Sequence, residues 1–134
     1  MKFIVLAGRI LYSFIFVMAS LGHFSKPTIG YAASQGVPLA DIAVPLSGLL
    51  ALLGGLSIAF GYKARWGAWL IVLFLVPVTV MMHRFWGLPD AQVAMIQQIM
   101  FMKNVSMTGA ALLIAYFGSG PLSLDAFLSK TKQA

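Results

Sequence analysis

Four stretches of the chain, Phe3 to Gly22, Val44 to Tyr62, Trp66 to Met82 and Val93 to Tyr116, each come close to the ~20 apolar residues that cross a ~30 Å hydrocarbon core. They use most of the 134 residues and leave little chain for a soluble domain. In lipid every backbone amide and carbonyl has to be paired inside its own segment, which a helix achieves and an open strand does not. The expectation is an all-α fold in which residues 1–134 make a single integral membrane domain, a transmembrane four-helix bundle. Composition agrees: 60% of residues are hydrophobic, 9% are charged, and the only acids are Asp41, Asp90 and Asp125. That balance is far from a soluble domain's.

A formal net charge of +6 raises the question of nucleic acid, and the positions of the basic residues answer it. Lys2, Lys63, Arg65, Lys130 and Lys132 fall at one end of the expected bundle, whereas Lys26 and Arg84 fall at the other, beside Asp41 and Asp90. This is the positive-inside bias. It puts the N- and C-termini in the cytoplasm, with four crossings of the inner (cytoplasmic) membrane, and it explains the charge without nucleic acid. Lys2 before an apolar run, with Val17-Met18-Ala19 after it, loosely resembles a cleavable signal. Arg9 interrupts that run and three more spans follow, so the first stretch is expected to be retained. With no cysteine, the chain has no disulfide, thiolate metal site or dithiol relay of its own.

Turn residues divide the chain clearly. Lys26-Pro27-Thr28 closes the first span and Gly36-Val37-Pro38 precedes the second; between them, Thr28 to Gln35 suits a short helix or turn at the outer interface. Lys63-Ala64-Arg65 reads as a tight cytoplasmic turn that makes the second and third spans antiparallel neighbours. Pro77 removes a backbone bond inside the third span and is expected to kink it. Phe85 to Asp90 form an aromatic outer loop, while Tyr62, Trp66 and Trp69 mark the inner interface. Ser47, Ala51, Gly55 and Ala59 recur every four residues, a small-residue seam that lets helix backbones approach closely. Packing within the bundle is its first reading and a homodimer seam its second.

Polar residues inside the spans are the most informative, because a charge at a helix centre costs at least ~2.5 kcal/mol to insert. Arg9, Ser13, Phe16, Ser20 and His23 share one face of the first helix. Gln97, Met100, Asn104, Thr108, Ala111 and Ala115 form a stripe on the fourth, with Lys103 beside it; Thr79 and His83 lie four apart on the third. Alternating helix directions bring His23, His83, Gln97, Gln98, Lys103 and Asn104 to the outer half, where they can converge. Arg9, near the inner end, is expected to contact Asp125 and clamp the C-terminal segment; the alternative is snorkelling to headgroups. Lys103 has similar alternatives, in snorkelling or in pairing with Asp41 or Asp90. Two histidines with no third ligand do not make a metal site, so no metal is expected. No nucleophile triad, carboxylate pair or phosphate loop suggests a soluble type of enzyme.

Taken together, several motifs resemble the DoxX family of small bacterial four-helix membrane proteins. They are Arg9, Gly22-His23-Phe24 with Lys26-Pro27, Leu53-Gly54-Gly55-Leu56 ending in Gly61, His83-Arg84-Phe85-Trp86, Phe101-Met102-Lys103-Asn104, and Gly118 to Asp125. The resemblance implies a four-helix bundle linked to redox processes, in some members beside quinone chemistry or a partner redox enzyme. Its polar positions fall on Arg9, His83, Trp86, Lys103, Asn104 and Asp125. The chain departs at Ala51, where the family pattern suggests Glu, and this argues against proton transfer in the second span.

The leading expectation is a redox-associated membrane protein whose outer half holds a quinone-like head group. His83, Lys103 and Asn104 would supply polar contacts, with His23 and Gln97 close by, and Phe85, Trp86 and Met100 would supply an apolar wall. Electron transfer, as a membrane oxidoreductase subunit, would require a bound cofactor or partner redox protein. The runner-up is a non-catalytic anchor or assembly subunit acting through the small-residue seam or the Tyr31 and Trp86 surface. A small-solute transporter comes third, disfavoured by the span count and the lack of an inverted repeat.

Overall fold

The computed structural model describes residues 1–131, so Lys132, one of the basic residues behind the topology argument, lies outside the described residues. The described residues form six helices: α1 (Lys2–Gly22), α2 (Lys26–Ser34), α3 (Ala40–Phe60), α4 (Ala64–Met82), α5 (Ala91–Phe117) and α6 (Leu124–Thr131). α1, α3, α4 and α5 are long and apolar enough to cross a membrane.

The spans begin earlier than hydropathy alone suggested. α3 starts at Ala40, because Asp41 in its first turn is favoured by the positive end of the helix dipole. α5 starts at Ala91, capped by Asp90 Oδ1, which accepts from the Gln92 amide at 2.8 Å and the Val93 amide at 3.0 Å. The α3–α4 turn is Gly61-Tyr62-Lys63, two residues before the expected one, since Gly61 at φ 66 ends α3 in the left-handed region. α4 runs unbroken through Pro77.

Side-chain contacts fix the helix directions. His23, after the end of α1, meets Ser47 and Gly48 near the start of α3, while Arg9, near the start of α1, lies against Gly61 at the end of α3. α1 and α3 are therefore antiparallel. α4 packs between α3 and α5, and the Tyr12 hydroxyl donates to the Met107 carbonyl at 2.8 Å, joining α1 to α5 and closing the bundle.

The expected interior face of α1 is the buried one: Arg9, Ser13, Phe16 and Ser20. Phe16, Ala51, Ile58, Ile71, Phe74, Leu75 and Ala111 fill the middle of the bundle. Leu11, Phe14, Leu73, Val76, Leu113 and Phe117 point outward, and an exterior this apolar is suited to lipid.

Glycine sets the closest approaches. A Cβ on Gly54 would lie 2.8 Å from the Gly67 carbonyl of α4, and one on Gly55 would lie 3.0 Å from Val17 of α1. α3 thus presents adjacent glycines to two different neighbours. In the expected seam, Gly55 packs on α1, Ser47 bonds His23 and Ala51 is completely buried, so these positions pack within the chain.

Candidate binding site

At the end of the bundle away from the termini, α2 folds across the mouth between α1, α3 and α4. Ser25 caps it and Pro27 opens its first turn, where a missing amide proton costs nothing. Ala32 of α2 is buried against Ala40 and Val44 of α3, with Ile29, Val37 and Met82 packed around them. Beneath this cluster is a cavity of about 280 Å³ lined by residues of α2, α3, α4 and α5 together with His23. Val44, Pro77, Val78, Met81 and Met82 make its apolar wall, and His23, Thr28, Tyr31, Ser47, His83 and Gln97 supply polar atoms.

Both imidazoles are anchored through Nδ1. His23 Nδ1 is 2.9 Å from Ser47 Oγ and His83 Nδ1 is 2.9 Å from Gln97 Oε1. The His23 ring also packs on Phe74, with centroids 5.5 Å apart, and its Cβ fits against Gly48, where an added Cβ would come within 2.6 Å. Burial pushes the His23 pKa below its ordinary value, opposed by the nearby Val44 backbone. The site therefore holds His23 as the neutral ring more firmly than water would.

Of the expected site residues, His23, His83 and Gln97 come together in this cavity, and Lys103, Asn104 and Trp86 do not line it. Lys103 is on the exposed face of α5, its Nζ 3.3 Å from Met100 Sδ, without Asp41 or Asp90 as a partner. Asn104, one residue on, is buried in the bundle and its carbonyl accepts from Thr108 Oγ1 at 2.8 Å. Trp86 instead joins Phe85 and Phe101 in a three-ring cluster, with centroids 5.3 to 6.0 Å apart, that ties the α4–α5 loop to α5. Thr28, Val44, Met81 and Met82 were not expected in the site. Tyr31, the small-residue position Ser47 and Pro77 stood out in the sequence, for other reasons.

A model of the DoxX family matches residues 4–84, more than half of the chain. The chain belongs to the DoxX family. The matched stretch of this DoxX protein includes Arg9, His23 and His83 and ends before Gln97, Lys103, Asn104 and Asp125. Similarity to individual proteins reaches further. The chain is 33% identical over 132 residues to "Inner membrane protein YqjF" of Escherichia coli (strain K12), covering 94% of this chain and 92% of that protein. It is 30% identical over 124 residues to "Inner membrane protein YphA" of the same organism, covering 91% and 88%. No solved structure matches. With four spans and relatives so named, this DoxX protein is a multi-pass inner-membrane protein.

The other polar centre of the DoxX chain lies at the termini end, where Arg9 and Asp125 both bond Ser119 and are not hydrogen-bonded to each other. Arg9, only 4% exposed, donates through its two terminal nitrogens to the carbonyls of Ser119 and Leu122, while its Nε is buried without a partner. Asp125 turns instead to the α3–α4 turn. Its two oxygens accept from the Lys63 amide at 3.1 and 3.0 Å, and its own amide donates to the Gly61 carbonyl at 3.0 Å. The start of α4 places a partial positive charge beside Asp125 in addition to the nearby Arg9. Ser119 joins the two, its carbonyl accepting from Arg9 and its hydroxyl donating to Asp125. The C-terminal segment is held by Arg9, but through main-chain carbonyls.

Proposed function

We propose that this protein is a redox-associated membrane protein that binds a quinone-like ring in the cavity beneath α2. The observation that supports this most is the meeting of His23, His83 and Gln97 at one apolar cavity. A few polar groups converging in an apolar cleft is the usual design of a small-molecule site. At about 280 Å³ the space is near the lower edge of the ~300–1,000 Å³ range, room for a single ring and not for a dinucleotide. The apolar surface around it would let a lipid-soluble tail remain in the membrane. Electrons would be exchanged with a partner redox protein, because the chain has no cysteine and no redox-active pair. The excess of basic residues at the termini end argues for cytoplasmic termini and an outward-facing cavity.

Equilibrium binding to purified protein in nanodiscs tests this. A short-tailed quinone or its hydroquinone should bind saturably, and Ala43→Trp, which fills the cavity, should abolish binding. Lys103→Leu should leave it unchanged. A second reading, an assembly subunit that binds a partner through its outer loops, is supported by the half-exposed Trp86 beside Phe85 and Phe101. Intact partner capture with no binding of either ligand would favour it.

A further inference from the structure

The protons available around the cavity determine which way its hydrogen bonds run. Ser47 has one hydroxyl proton, and its 2.7 Å approach to the Val44 carbonyl requires that proton, because two bare lone pairs at this distance repel. The 2.9 Å contact between His23 Nδ1 and Ser47 Oγ is then Nδ1–H donating to Ser47. With the Gln97 amide oriented so that Oε1 lies 2.9 Å from His83 Nδ1, an oxygen that only accepts faces the ring, and Nδ1 carries its proton there too. Ser25 donates to the Gly22 carbonyl at 2.8 Å, which makes the 2.9 Å contact between Ser25 and Thr28 a bond donated by Thr28.

A neutral imidazole with its proton on Nδ1 has a lone pair on Nε2. His23, His83 and Thr28, which all line the cavity, are therefore left with unused acceptors. Among the described residues no Lys or Arg lines the cavity. The remaining donors are the Tyr31 phenol and the Gln97 amide.

We infer that this cavity selects the reduced, dihydroxy form of its ring ligand over the oxidised diketone. The inference rests on the ligand class proposed above and adds its redox state. A hydroquinone brings two O–H donors to a site rich in lone pairs. The quinone brings only acceptors, which would meet the imidazole lone pairs and find donors only in the Tyr31 hydroxyl and the Gln97 amide. The carbon skeleton is the same in both forms, so apolar burial does not discriminate between them and the polar groups decide.

The experiment is a pair of anaerobic titrations of the full chain in nanodiscs at pH 8, above the ordinary imidazole pKa of about 6.5. One uses a short-tailed hydroquinone and the other its quinone. The hydroquinone should bind about tenfold more tightly, the scale of one or two net hydrogen bonds. His23→Phe and His83→Phe, which keep a ring and remove the acceptor, should each bring the affinity ratio toward one. Equal affinities, a tighter quinone, or a ratio unchanged in both variants overturns the inference and leaves the ligand class standing. Saturable binding of neither form overturns both. The wild-type ratio decides alone if a variant does not fold.

Discussion

His23 shows how a single residue is tuned by three neighbours. Phe74 and Gly48 fix its ring in place, Ser47 holds Nδ1, and the surrounding burial disfavours the charged form. The consequence for stability has a definite sign. Because the folded pKa lies below the unfolded value of about 6.5, the unfolded chain takes up a proton first on acidification. His23 then contributes its full share above about pH 6.5 and loses it as pH falls from there through the folded pKa. Thermal unfolding of wild type and His23→Gln in detergent, compared between pH 8 and pH 5, should show the larger loss in wild type; parallel profiles would contradict it. At this scale the sequence was informative about faces and weak about neighbours within a face. Arg9, Ser13, Phe16 and Ser20 are four and three apart, and all are buried. Lys103 and Asn104 are adjacent, and one residue step turns a helix by roughly 100°. That step places Asn104 inside the bundle and Lys103 on its exposed face, a difference that neither hydropathy nor residue type reveals in a helix whose other faces are also apolar.

Among the elements, the C-terminal segment depends most on one side chain. The Ser119 and Leu122 carbonyls accept from Arg9, and Gly61 leaves the space the guanidinium occupies: a Cβ there would fall on Arg9 and on Ser123. Arg9→Leu removes the donor from both carbonyls and should cost about 1–3 kcal/mol. It should also speed limited proteolysis between Gly118 and Ser123 without affecting the α3–α4 turn; cleavage as slow as in wild type would refute the clamp. The sequence indicated that Arg9 and the segment ending at Asp125 belong together. It did not indicate that carbonyls, and not the carboxylate, receive the guanidinium. That outcome depends on Asp125 being drawn to the Lys63 amide, a main-chain partner with no signature in residue type. The cavity's roof was legible for the same kind of reason that its interior was not. Ser25, Pro27 and Gly36 mark the limits of α2, whereas Val44, Val78 and Met82 look like any other apolar residues of a span.

For the whole molecule, length and hydropathy sufficed for the four spans, and family membership agrees with them. The orientation rests on charge. Reporter fusions at Lys2 and after Thr131 should both be active only in the cytoplasm, and Arg or Lys substitutions in the α4–α5 loop should weaken that preference; an active periplasmic fusion at either end would reverse the topology and turn the cavity to face the cytoplasm. The division of the bundle into a clamp at the termini end and a cavity at the other carries the functional account. Its most direct test is photo-crosslinking of the purified protein with a short-tailed quinone bearing a photoreactive group on its ring, read by peptide mapping. Labelling is expected at residues 28–32, 43–47 and 77–83, and excess unlabelled hydroquinone should reduce it. Labelling confined to the Lys103 face of α5, or labelling that excess ligand does not reduce, would contradict it.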